Sequence, residues 1–298
     1  MAQTTVVESY AGPSAKELAR KYGLGAAGRL PSLLEYTQQL WAYRHFIWEF
    51  AGAKVSAALG TTRLGMIWQV LTPLLNAGVY YVIFGLLLNT KHGVTNFVPY
   101  LCIGVFIFGY TQTVVQAGIL SVSGNLGLIR ALHFPRASLP LSITLVEARN
   151  MIVSMAVLIA IVLGYGEPLN LEWLLVVPAL LLQTVFNAGF AMLVGRLGSK
   201  LHDLRQLIPF IMRVWMYGSA VLYPVTQFTT HLHGWKLNLV LANPMLVYIE
   251  LIRHALMENV KLAGTPTRLW TEAIIWAAVM GVGGYAYFWR GEKGYGRG

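Results

Sequence analysis

Six long apolar stretches separated by short polar loops occupy most of the chain between residues 66 and 289. The hydrocarbon core of a bilayer is roughly 30 Å thick and takes about 20 apolar helical residues to cross. Stretches 66–88, 98–122 and 174–194 reach that length without a charged residue. Stretches 139–165 and 207–225 are long enough but carry charges, and 273–289 is short and charge-free. The pattern predicts an all-α membrane protein with six transmembrane helices, and an even number of crossings puts both termini on the same side.

Ahead of the first span, Ser32-Leu33-Leu34-Glu35 has the spacing of a capping box, in which two side chains satisfy each other's orphan backbone N–H. The helix it opens places Leu33, Tyr36, Leu40, Tyr43, Ile47 and Phe50 on one face and Glu35, Gln39, His45 and Glu49 on the other. Too charged to span, residues 32–57 are expected as an amphipathic helix in the membrane interface, with Trp41 and Trp48 at headgroup level. The alternative is a helix packed on a cytoplasmic partner. Residues 1–31, with Gly12-Pro13, Gly23, Gly25, Gly28 and Pro31, read as a flexible cytoplasmic tail without a signal peptide. Residues 58–298 form the six-span unit.

The segment 226–267 should face outside, yet 237–255 within it is largely apolar and is interrupted by Asn243-Pro244. The pieces are too short to cross, so a re-entrant helical hairpin is expected there, acting as an outer gate. A helix lying on the outer leaflet is the alternative. No internal repeat supports an inverted-repeat carrier.

Composition agrees with this layout. The chain is 56% hydrophobic and 11% charged, with mean hydropathy +0.57, whereas soluble domains carry about a quarter charged residues. A net charge of +10 would suit nucleic acid, but its distribution does not. Arg130, Arg136, Arg196, Lys200, Arg205, Arg290, Lys293, Arg297 and the basic residues before the first span all fall on one side. Lys91, Lys236, Arg253, Lys261 and Arg268 fall on the other. The positive-inside rule then places both termini in the cytoplasm. Cys102 is the single cysteine, so no internal disulfide can form.

Several chemistries are missing. No G-x-x-x-x-G-K-[ST] phosphate loop is present, so ATP is not bound by that route. Asp203 is the sole aspartate, and His231 and His233 have no companions to complete a zinc site. No catalysis, metal or cofactor is expected on this chain. Charges inside spans are costly and draw attention: Glu147, Arg149 and Arg213. Glu147 and Arg213 are candidates for an interhelical pair. Arg149 either faces an aqueous path and an anionic substrate or snorkels to the headgroups. Phe106, Phe108, Tyr110, Trp215 and Tyr217 are candidates to line a path by stacking on sugar rings, with helix packing as the alternative.

Leu64-Gly65-Met66-Ile67-Trp68 followed by Pro73 resembles the L-G-x-x-W-x-x-x-x-P signature of ABC-2 type polysaccharide exporter permeases. The resemblance extends through Ile129-Arg130, Phe134-Pro135-Arg136, Asp203-Leu204, Tyr223-Pro224 and Asn243-Pro244 with Arg253, covering roughly residues 35 to 290. The chain departs from the family with His202-Asp203 for Arg-Asp and Ser219-Ala220 for Ser-Pro. The second departure weakens the argument for a proline kink in span five.

The resemblance implies a homodimer whose copies each dock a separate ABC ATPase subunit, so that Mg-ATP sits on the partner and not on this chain. It implies a polyprenyl-diphosphate-linked glycan as cargo, such as O-antigen, teichoic acid or galactan; the Ala/Gly/Trp-rich composition suggests an actinobacterial galactan exporter of the mycobacterial kind. By position, Arg130, His133, Phe134, Pro135 and Arg136 would couple to the ATPase, and Lys54, Arg63 and Arg149 would meet the diphosphate. Asn243, Pro244 and Arg253 would form the outer gate. Drug or lipid export by the same superfamily is the first alternative. An ion-coupled carrier and a membrane glycosyltransferase are further ones, disfavoured by the scarcity of acids.

Overall fold

The computed structural model describes residues 31–61, 65–87, 94–201, 203–231, 233–258 and 260–295, and every regular element among them is helical. Helix α1 (Leu33–Ala42) opens on the expected capping box: Ser32 N–H donates to Glu35 Oε2 at 2.8 Å and Glu35 N–H to Ser32 Oγ at 3.2 Å. The chain turns at Tyr43 and resumes as α2 (Arg44–Thr61). The segment expected as one helix is thus two, and the second runs on to Thr61. Trp41 and Trp48 both stay on the surface.

Helix α3 (Gly65–Tyr80) carries Pro73 inside it and continues as a π-helical stretch, Tyr81–Leu87. Helix α4 (Phe97–Gly118) is the axis of the bundle, buried almost throughout. The short α5 (Leu126–Ala131) lies in the link to α6 (Ser138–Gly164), and a 3-10 turn, Leu171–Leu175, leads into α7 (Val176–Lys200). Then come α8 (Leu204–Tyr217), α9 (Thr226–His231), α10 (Trp235–Leu241), α11 (Pro244–Leu256) and α12 (Pro266–Arg290). Helices α6 and α7 flank α4, α12 packs along α7, and α3 and α8 lie against α4.

Among the described residues, five stretches are long and apolar enough to cross a membrane: Val70–Leu87, Phe97–Gly118, Ser138–Gly164, Leu171–Lys200 and Pro266–Arg290. Helices α10 and α11 together pass the same test but meet at a 62° bend, at the Asn243-Pro244 break. The protein is a multi-pass membrane protein. The stretch 207–225 is not the continuous helix expected. Helix α8 has 14 residues, about 21 Å of rise, and ends at Tyr217. The chain then turns through 218–225, with Ala220 at φ 51°, a left-handed conformation that stops a helix.

Two features hold the axis together. Gln183 Nε2 on α7 donates to Ile107 O (2.9 Å) and Thr111 Oγ1 (3.0 Å) on α4, and Thr111 Oγ1 donates to Asn187 Oδ1 at 2.8 Å. Such buried cross-helix bonds join spans that have little hydrophobic drive to associate in lipid. Helices α7 and α12 meet backbone to backbone at Gly189 and Gly284. A Cβ on Gly189 would lie 1.9 Å from Met280 O, and one on Gly284 2.1 Å from Gly189 O. Only glycine permits that approach.

Candidate functional site

Helices α3, α4, α6 and α8 line a half-open cavity of about 490 Å³, within the range that holds small molecules. Trp68, Asn76 and Tyr80 face it from α3; Phe106, Phe108, Tyr110, Gln112, Thr113 and Gln116 from α4; Glu147, Asn150 and Ser154 from α6; Arg213 from α8. The wall mixes ring faces with amide, hydroxyl and charged groups. It can stack on a sugar ring and hydrogen-bond its hydroxyls at once. Glu147 and Arg213 share this cavity, but the ion pairs among the described residues do not join them. Glu147 Oε2 instead accepts from Asn150 Nδ2 at 3.3 Å.

Of the five aromatics expected along the path, Phe106, Phe108 and Tyr110 face this cavity. Trp215 does not. Its Nε1–H donates to Asn243 Oδ1 at 2.9 Å, and its ring packs edge-on against Phe108 and Phe190. Tyr217 is exposed at the end of α8, where its carbonyl accepts from the Tyr223 hydroxyl.

The broken end of α8 is held by Asn243 and Arg253, two of the three residues expected to form the outer gate. Asn243 Nδ2 donates to Gly218 O (2.9 Å) and Ser219 Oγ (3.0 Å), while its Oδ1 accepts from Trp215 and from Met245 N–H (3.1 Å). That last bond caps α11, with Pro244 as its first residue, where a missing N–H does no harm. Arg253 is fully buried. Its guanidinium donates to Ala220 O (2.8 Å), Val221 O (3.1 Å) and Tyr100 O (3.1 Å), and pairs with Glu250 Oε1 at 3.1 Å. Glu250 Oε2 accepts from Ala263 N–H at 3.2 Å. Backbone carbonyls freed where a helix breaks need partners, and Arg253 and Asn243 supply them. Both residues therefore anchor α11 rather than standing at a free opening.

At the opposite end, the link after α5 meets α1 and the chain beyond α12. The buried Tyr36 hydroxyl donates to Glu292 Oε2 at 2.7 Å and accepts from Ala137 N–H at 3.1 Å. Arg136 N–H donates to Glu292 Oε1 at 3.1 Å, its Nη1 donates to Glu292 O, and its charge lies 3.8 Å from the carboxylate. Burial pushes the Glu292 carboxyl above its usual range, outweighing the hydrogen bonds and the Arg136 charge. His133 O accepts from Tyr43 OH at 3.0 Å, Phe134 packs on Phe46, and Pro135 is buried. The segment expected to couple to an ATPase thus divides: Arg130 and His133 are exposed, while Phe134, Pro135 and Arg136 tie the link to its own chain.

Lys54 lies over the Phe50 ring at 4.8 Å, and burial lowers its ammonium pKa. Arg149 stacks on Trp48 at 3.9 Å, away from the cavity. Arg63 lies outside the described residues, as does Leu64 of the signature. Sequence reasoning missed Tyr100, Glu250 and Glu292; Tyr100 and Glu292 belong to no local pattern. An acid buried three residues before Arg253 on one helix face was the one signal available, at Glu250.

The ABC-2 type transporter family matches residues 48–257, more than half of the chain. The chain belongs to that family. Among relatives, it is 21% identical over 194 residues to the O-antigen export system permease protein RfbA of Myxococcus xanthus, covering 65% of this chain and 74% of that one. It is 27% identical over 160 residues to a protein of the same name from Klebsiella pneumoniae, covering 53% and 61%. It is 20% identical over 205 residues to the polysialic acid transport protein KpsM of Escherichia coli, covering 68% and 78%. As an ABC-2 type protein it is the membrane subunit of a transporter. The matched region runs from α2 to the end of α11, taking in the cavity, the link after α5 and the α8–α11 junction.

Proposed function

We propose that this chain is the permease subunit of an ATP-driven exporter that moves a polyprenyl-diphosphate-linked polysaccharide out of the cytoplasm for envelope assembly. The observation that carries this reading is the cavity, where Trp68 and Tyr80, the accessible rings of a wall that also includes the buried Phe106, Phe108 and Tyr110, stand beside Gln112, Gln116, Asn150 and Glu147. Ring faces next to hydrogen-bonding groups suit a hydroxylated polymer better than an apolar drug. The names of the relatives point the same way. Two copies would work with two ABC ATPase subunits, the exposed Arg130 end of the link serving as the docking edge on the cytoplasmic side. The basic residues at that end support a cytoplasmic orientation. The α10–α11 bend fits a re-entrant hairpin, with α1 and α2 lying in the interface.

Co-expression with the ABC ATPase encoded beside it tests this. A stable complex of two plus two subunits is expected, with ATP hydrolysis and transfer of a polyprenyl-diphosphate-linked glycan into reconstituted vesicles. Arg130→Glu is expected to uncouple ATPase activity without changing the fold. Failure of the intact chain to bind any ATPase would overturn the reading.

A further inference from the structure

Helix α6 presents an outward stripe of Ile152, Ala156, Ala160 and Leu163, all exposed, with Ile152 at 71%. Below that stripe α2 covers the helix, Ser142 Oγ donating to Ile47 O at 3.4 Å. Arg149 stands where the cover ends, one turn before Ile152 on the same face. Its guanidinium stacks 3.9 Å over the Trp48 ring and faces Gly52, with Nη1 3.6 Å from where a Cβ on that glycine would be. Among the described residues it makes no ion pair. The acid two positions away, Glu147, lines the cavity on another side of the helix.

The depth fits a headgroup. Arg149 lies about 22 Å along the helix from Gly164, at about 1.5 Å per residue. A hydrocarbon core of roughly 30 Å therefore leaves it within a side chain's reach of the opposite headgroup layer. The guanidinium fork offers several donors to one phosphate, and Trp48, 56% exposed, holds it at the lipid face. We propose that Arg149 and Trp48 form a binding site for the phosphate group of a membrane lipid on the outer wall of α6, separate from the cavity. The phosphate can belong to an anionic phospholipid or to a polyprenyl diphosphate. The second source rests on the export reading above and the first does not.

Native mass spectrometry of the full chain from detergent micelles tests the site with three probes: phosphatidylglycerol, a polyprenyl diphosphate, and inorganic pyrophosphate. Wild type is expected to retain one lipid per chain more tightly than the rest. Arg149→Gln should weaken that lipid about fivefold, the worth of one cation near a membrane surface. Trp48→Leu removes an exposed ring without touching the core and should weaken it by about twofold to fivefold. Retention of phosphatidylglycerol assigns the site to bulk phospholipid, and retention of the polyprenyl diphosphate alone assigns it to the cargo. Unchanged lipid retention in both variants overturns the proposal, as does equal binding of pyrophosphate without a lipid.

Discussion

Arg253 lays its guanidinium 3.4 Å over the Tyr100 ring while donating to the same residue's carbonyl. Helix α11 is thereby pinned to the start of α4 by stacking and hydrogen bonding, while Glu250 on the same helix balances the charge. Truncating one partner of a buried ion pair leaves the other uncompensated, at about 3–5 kcal/mol. Arg253→Leu should lower the melting temperature of the detergent-solubilised protein sharply, and adding Glu250→Gln should recover part of the loss. An unchanged melting temperature in Arg253→Leu would show that the pair is not structural.

Ala220 carries a positive φ at the turn where Arg253 captures its carbonyl. A left-handed conformation costs a non-glycine residue roughly 1–2 kcal/mol, partly offset by the extra unfolded-state freedom of glycine. Ala220→Gly should stabilise by up to about 1 kcal/mol. Ala220→Pro should destabilise, because proline holds φ near −65°. Thermal melts of the two variants should move in opposite directions.

Glu292 yields a prediction about pH. Its carboxyl titrates above the usual range because it is buried, so the folded protein takes up this proton at a higher pH than the unfolded chain. As pH falls through the raised value toward 4.5, the group adds stability instead of losing it. Glu292→Gln, fixed in the neutral form, should flatten the stability profile across that window. Glu292→Ala, which abandons Tyr36 and the Arg136 N–H, should destabilise at every pH.

In the cavity, Glu147→Gln and Arg213→Gln should each reduce glycan transfer by roughly tenfold, the scale of one hydrogen bond to a charged group. Neither should change the melting temperature by more than a degree or two. Double reversal, Glu147→Arg with Arg213→Glu, should fail to restore transfer, since the two residues make no direct pair. Rescue would show that they meet during the cycle.

Much of this was legible in the chain. Apolar length located the long spans, the Ser32–Glu35 spacing located the start of α1, and Asn243-Pro244 located the bend. Phe106, Phe108 and Tyr110, close together on one apolar stretch, do border a common cavity. What was hidden depends on partners distant in sequence. Nothing near Arg253 announces that Tyr100 O and Ala220 O will surround it, and nothing near Arg136 announces Glu292. The end of α8 was hidden for the same reason. Hydropathy carries on through Val221 and Leu222, while a backbone turn at Ala220, stabilised from another helix, decides where the helix stops. The Ser219-Ala220 departure from the family thus falls at a position whose backbone proline could not adopt.

The meeting of Gly189 with Gly284 divides the labour of the molecule. Where the two backbones touch there is no side chain to repack and no room to slide, so α7 and α12 act as a fixed frame. Helix α3, bare along most of its length, and the short α8 are thinly held by comparison, and they form two walls of the cavity. Any stroke that opens or closes the cavity falls to these two helices, like a door hung on a rigid post.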